Sequence, residues 1–190
     1  EIYDYGTFFR ESESGESSNK DMLVYFNNAF RLLAYVYRLR KQWDELIETY
    51  RLGRLFLPNR HEWNPHLAEL YALKRQYGKA LEMIDSANFY YYTTPQMRLY
   101  QILAQKAVNS NDRDEAGRIL NHAIEVNPDF REAYVNLFML YNAMGNKQKA
   151  VETITRYLDR FPEKNAVREE LENYLETDQF DIQKAFGKPG

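Results

Sequence analysis

Residues 131–164 read REAYVNLFMLYNAMGNKQKAVETITRYLDRFPEK, and this stretch decides the fold. Tyr134, Leu137, Phe138 and Tyr141 fall at helical spacing and form one apolar stripe. Gly145 and Asn146 interrupt it, since both tolerate the left-handed backbone that a sharp turn requires. Ala150, Ile154, Tyr157 and Leu158 then make a second stripe, and Pro162 ends it. Just upstream, Asp129 with Glu132 three residues on reads as a capping box for the first helix. The stretch therefore predicts two helices joined by a tight turn.

Outward from this stretch, the same set of residues returns along the chain. Leu33, Leu67, Leu103 and Leu137 are one phase, and Tyr37, Tyr71, Ala107 and Tyr141 another. Leu46, Ala80, Ala116 and Ala150 are a third, and all three step by 34, 36 and 34 residues. A period of this size means one supersecondary unit, copied and stacked so that each copy buries its apolar face on the next. Ala34, Ala68 and Ala104 on the first helices, with Ala80, Ala116 and Ala150 on the second, are the small residues that let helices approach to about 8–10 Å. In the third unit Thr94 reads as a cap, Pro95 as the first helical residue, Asn111 as the turn, and Asp112 with Glu115 as a second capping box.

Composition excludes several function classes. Net charge is −3, from 25 basic and 28 acidic residues, with no basic block, so nucleic-acid binding is not expected. There is no cysteine, hence no disulfide and no thiolate metal site. No run approaches the ~18 apolar residues of a membrane span, so no direct membrane insertion is expected of this segment. The chain begins at Glu1 without a signal-like pattern and ends in Gly-Lys-Pro-Gly, which reads as a piece of a longer protein. The expected setting is a soluble segment, cytoplasmic or the aqueous domain of a membrane-associated protein. Residues 1–20 stand outside the repeat as an arm and linker. Ile2, Tyr3, Tyr5, Phe8 and Phe9 are too apolar for a solvated tail, so residues 1–9 are expected to pack on protein surface, either the first helix pair or a preceding domain of the intact chain, the alternative being an arm stranded by excision.

The pattern resembles the tetratricopeptide repeat. That family places an aromatic, Leu, a small residue and Tyr at positions 4, 7, 8 and 11, then Ala, an aromatic, Ala and Pro at 20, 24, 27 and 32. The unit 131–164 matches at Tyr134, Leu137, Tyr141, Ala150 and Pro162, and departs at Phe138 and Tyr157, where small residues are expected. The unit 97–130 matches at Tyr100, Leu103, Ala104, Ala116, Ala123 and Pro128. The unit 27–60 matches at Phe30, Leu33, Ala34, Tyr37, Tyr50 and Pro58, with Gly53 as the small residue. The unit 61–94 is weakest, with Asn64 in place of the aromatic. The resemblance implies an all-α, right-handed α-solenoid of four helix pairs. Residues 165–176 would form a capping helix and 177–190 a tail.

It also implies where a partner would bind. In this family the first helices line a concave groove that holds a peptide or helix of a partner protein. Carried over, the lining residues include Arg31, Tyr35, Arg38, Glu69, Arg98, Gln101, Gln105, Val135, Met139 and Asn142. Arg31 and Tyr35 replace the Lys and Asn of the family's carboxylate clamp, so binding of chaperone C-termini is not expected. Arg31, Tyr35 and Arg38, at spacings of four and three, are expected to form one cluster for an acidic peptide.

No catalytic constellation competes with this reading. His61 and His66 flank Glu62 at a spacing of five, which does not place two ligands on one helix face. They read as polar residues at a helix N-terminus, and His122 as a solvated one. No nucleophile elbow, phosphate-cradling glycine loop or paired carboxylate motif is present, so no enzyme activity, metal or cofactor is expected. Most of the 16 tyrosines fall on core stripes, and Tyr90, Tyr91 and Tyr92 are expected to pad the joint between the second and third units. Three functions fit such a chain. The favoured one is a non-catalytic interaction scaffold. The others are a soluble accessory domain of a larger, glycosyltransferase-like membrane enzyme, and a structural spacer.

Overall fold

The computed structural model describes residues 17–56, 63–86 and 93–187, and every regular element among them is a helix. The helices are α1 (Ser17–Leu39), α2 (Trp43–Phe56), α3 (Trp63–Leu73), α4 (Tyr77–Asp85) and α5 (Thr93–Asn109). They continue as α6 (Arg113–Val126), α7 (Arg131–Ala143), α8 (Lys147–Arg160), α9 (Asn165–Thr177) and α10 (Ile182–Phe186). Two compact units result, Glu1–Leu99 and Tyr100–Gly190, with the division falling inside α5. In the first, α1 packs on α2, α2 on α3 and α3 on α4. In the second, α6 packs on α7, α7 on α8, α8 on α9 and α9 on α10. The expected places of residues 1–9, His61 and Tyr90–Tyr92 lie outside the described residues.

One turn is used four times. Lys41, Arg75, Asn111 and Gly145 all have positive φ, between 55° and 69°. The residue after each returns its N–H to a carbonyl five residues back: Gln42 to Tyr37, Gln76 to Tyr71, Asp112 to Ala107 and Asn146 to Tyr141, at 2.8–2.9 Å. The left-handed residue donates three back, as Lys41 does to Arg38 and Gly145 to Asn142. This is the Schellman ending, which satisfies the last carbonyls of the first helix and aims the chain into the second. Lys41 and Arg75 adopt it although only glycine does so without strain.

The core follows the repeat. Leu46, Ala80, Ala116 and Ala150 are each 0% exposed. Leu67, Leu103 and Leu137 are buried as well, but Leu33 is 44% exposed. The expected capping boxes do not form. Phe130, not Asp129, is the N-cap of α7, and the Asp129 carboxylate instead receives Arg160 at 2.7 Å. Asp112 is the N-cap of α6 without a side-chain capping bond, and Glu115 pairs with Arg118. Asn146 does cap, accepting from the Lys149 N–H at 3.1 Å.

The departures at Phe138 and Tyr157 have a structural reason. Both are buried, and the C-terminal helices pack on them. Phe138 meets Phe180 at 4.4 Å and Tyr174 at 5.6 Å between ring centroids, and Tyr157 meets Phe186 at 5.2 Å. The helix that carries Phe186, α10, forms within the segment read as a tail. It is pinned by Glu170, a carboxylate on α9 only 3% exposed, which accepts from Lys184 Nζ at 2.5 Å and from the Asp181 N–H at 3.1 Å. These bonds, that from Lys184 first, hold the Glu170 carboxyl below the usual glutamate value.

Candidate functional site

A cleft of about 300 Å³ opens in the first unit, lined by Arg31, Ala34, Tyr35, Arg38, Tyr50, Trp63 and His66. Helix α1 supplies one wall because residues 31, 34, 35 and 38 recur at helical spacing. Tyr35 is 61% exposed, and both arginines are exposed. Their guanidinium groups have no hydrogen-bond or ion-pair partner among the described residues. The floor comes from α2 and α3. Tyr50 lies at 5.7 Å from the Trp63 ring and stacks on His66 at 5.2 Å with 17° between planes.

Small residues make this floor possible. The Trp63 indole lies so close to Gly53 that a Cβ there would stand 3.1 Å from Cε2. Ala34 likewise leaves open the volume that a larger residue on α1 would fill. Trp63 is buried, yet its Nε1–H has no acceptor among the described residues. A buried donor without an acceptor costs about 1–3 kcal/mol. The cleft thus presents two cations and stacked rings. That combination suits a carboxylate on a partly apolar ligand.

The residues expected to bind a partner are distributed as follows. Arg31, Tyr35 and Arg38 share the cleft. Glu69 is exposed on α3 but does not line it. Arg98 is exposed on α5 within the first unit. Gln101, Gln105, Val135, Met139 and Asn142 belong to the second unit. There Gln105 donates to Asn109 at 2.9 Å, and Asn142 accepts from the Tyr174 hydroxyl at 2.7 Å, so both amides are engaged. Met139 is exposed and Val135 half-buried.

Tyr50, Trp63 and His66 do not announce themselves as site residues in the sequence. Tyr50 falls on a core stripe, and His66 reads as a polar residue at a helix N-terminus. The usable signal was the pair Gly53 and Trp63: Asn64 fails to supply the expected aromatic, and Trp63 beside it does so. Asn64 is itself buried and reaches Ser86 Oγ at 3.4 Å. His122 is half-buried rather than solvated, edge-on to Tyr100 at 5.7 Å.

Among the described residues no group of three or more His, Cys, Asp and Glu side chains is placed to hold a metal ion. No described helix is long and apolar enough to cross a membrane. No family model matches the chain, and no curated protein does. Among solved structures it is similar to one titled "Crystal structure of MamA protein", at 21% identity, TM-score 0.44, over 80% of this chain and 88% of that one. It is also similar to "Crystal structure of MamA", at 22% identity, TM-score 0.40, over 76% of this chain and 91% of that one.

Proposed function

We propose that the protein is a non-catalytic interaction module. Its cleft between α1, α2 and α3 would grip an acidic side chain on an extended peptide or helix of a partner protein. The observation that carries this reading is the pair Arg31 and Arg38, without an acceptor among the described residues, above a ring-lined floor. Bidentate pairing of guanidinium with carboxylate supplies strength and direction. Tyr35 and Tyr50 supply contact area at little conformational cost. In the second unit, Met139 and Val135 would offer a partner apolar contact, with Gln101, Gln105 and Asn142 as polar neighbours.

Selection from a displayed library of random peptides tests the reading. Wild-type protein should enrich Asp and Glu next to an apolar or aromatic residue. The Arg31→Glu, Arg38→Glu variant should lose that enrichment while keeping its melting temperature. Equal enrichment by the folded variant would remove the cleft from the binding surface. No enrichment by either protein would favour a spacer.

A further inference from the structure

Helix α1 is held to its own unit by one side only. Asn27 and Ala34 are buried, and Leu23, Phe30 and Tyr37 beside them are half-buried. The opposite side carries Tyr25, Ala29, Leu32, Val36 and Leu39, which follow one another at steps of four, three, four and three. Tyr25, Leu32 and Leu39 are 75%, 64% and 66% exposed. Phe26 and Leu33 flank this stripe on one edge, and Asn28 and Tyr35 on the other. On α3 and α7 the residues matching Ala29, Leu33 and Val36 are buried, with α2 and α6 packed on those helices. An apolar face of this extent marks an interaction surface. Alternating steps of three and four are the spacing by which one helix seats another, knob into hole. The pattern therefore calls for a helix as the occupant.

We propose that the occupant is α1 of a second copy of this chain, antiparallel to the first across a twofold axis. Antiparallel pairing sets Tyr25 against Val36 of the second copy and Ala29 against its Leu32, and the symmetry repeats both layers. A large side chain then meets a smaller one in every layer. Parallel pairing would set alanine on alanine and tyrosine on tyrosine, a gap in one layer and crowding in another. Charge points the same way. Arg31, Arg38, Arg40 and Lys41 are the charged residues between positions 23 and 41, and all are cationic. Antiparallel pairing lays each basic half along the uncharged residues 23–30 of the other copy, whereas parallel pairing would set the two basic halves side by side. The area suffices. Tyr25, Phe26, Leu32, Leu33, Tyr35 and Leu39 are each at least 40% exposed and leave on the order of 100 Å² apiece. With Ala29 and Val36 this reaches the lower part of the roughly 600–1,000 Å² per partner of a stable interface. Because α1 already packs on α2, pairing does not have to form the helix. Arg31 and Arg38 stand off the seam, so the pair presents two clefts.

Analytical ultracentrifugation of the full chain over a range of concentrations tests this. The wild type should pass from monomer to dimer. Leu32→Asp with Leu39→Asp should raise the concentration of half-dimerisation by about a hundredfold or more, with helical circular dichroism unchanged. The chain has no cysteine, so single ones can be placed at will. Ala29→Cys protein mixed with Leu32→Cys protein should oxidise to a disulfide joining one of each, told from either like pair by its mass. A preference for like pairs would overturn the antiparallel seam. A wild type that stays monomeric up to about 1 mM would overturn the proposal and give this face to an occupant of another kind. A dimer that the charged variant forms as readily would overturn it too, by placing the contact elsewhere. Should the charged variant lose helix, the disulfide pattern decides alone.

Discussion

Ala34 and Gly53 hold the same two repeat positions in α1–α2 that Phe138 and Tyr157 hold in α7–α8. The first pair is small, and the space it leaves becomes the cleft and the seat of Trp63. The second pair is large, and its rings are buried under Tyr174, Phe180 and Phe186. Backbone and turn are alike in the two places. Two side-chain volumes distinguish a helix pair that leaves a cleft from one closed by its own chain.

The contrast breaks most sharply at the filled end. Phe138→Ala should cost about 3–5 kcal/mol in denaturant unfolding of the second unit, because a large cavity opens where three rings met. It should also release α10, read as fast exchange over residues 182–186. The open end gives a smaller effect of a different kind. Gly53→Ala presses a methyl group on the Trp63 indole and should cost about 1–3 kcal/mol, with a shift in tryptophan emission. Loss of stability without an emission shift would mean that the indole does not rest there.

The turns common to both ends predict gains. Lys41→Gly or Arg75→Gly should stabilise by about 0.5–1 kcal/mol, since each relieves a left-handed conformation held by a side-chain-bearing residue. A loss would show that the lysine or arginine side chain contributes more than its strain removes. The smallest change concerns one proton on the closing helix. The folded Glu170 carboxyl lies below its ordinary 4.5, so its contribution is complete above that pH and fades as pH falls through the lower folded value. Glu170→Gln should flatten this acid slope in thermal melts. An equal slope in both proteins would assign it to other carboxylates.

The repeat was legible because its causes are local. A tight turn needs a left-handed residue at a fixed place, and a helix crossing needs an alanine, so residues 111, 116, 145 and 150 could be read without a structure. Capping was not legible in the same way, because a carboxylate near a helix start has rival partners. Asp129 is taken by Arg160, thirty-one residues on in sequence. The arginine–tyrosine wall of the cleft followed from spacing along one helix. Its floor did not, since Tyr50 and His66 meet only after α2 packs on α3. The exposure of Leu33 was hidden for the opposite reason: the pattern names the residue but not whether a neighbour covers it. Helix α10 escaped because five residues carry too little periodicity to announce a helix, and its anchor is Glu170 on another element.

Within each unit, every helix leans chiefly on its neighbours in the chain, and this bears on how the protein is made. Synthesis from the N-terminus can complete α1–α2 and α3–α4 as they emerge, with short loops to close and little to wait for. Phe138 and Tyr157 are the exception. Both rings are translated well before residues 180 and 186, so a nascent chain carries them without these aromatic contacts until α9 and α10 are made. The covering of α7 and α8 in the second unit is thus completed only after α10 is made and Glu170 receives Lys184.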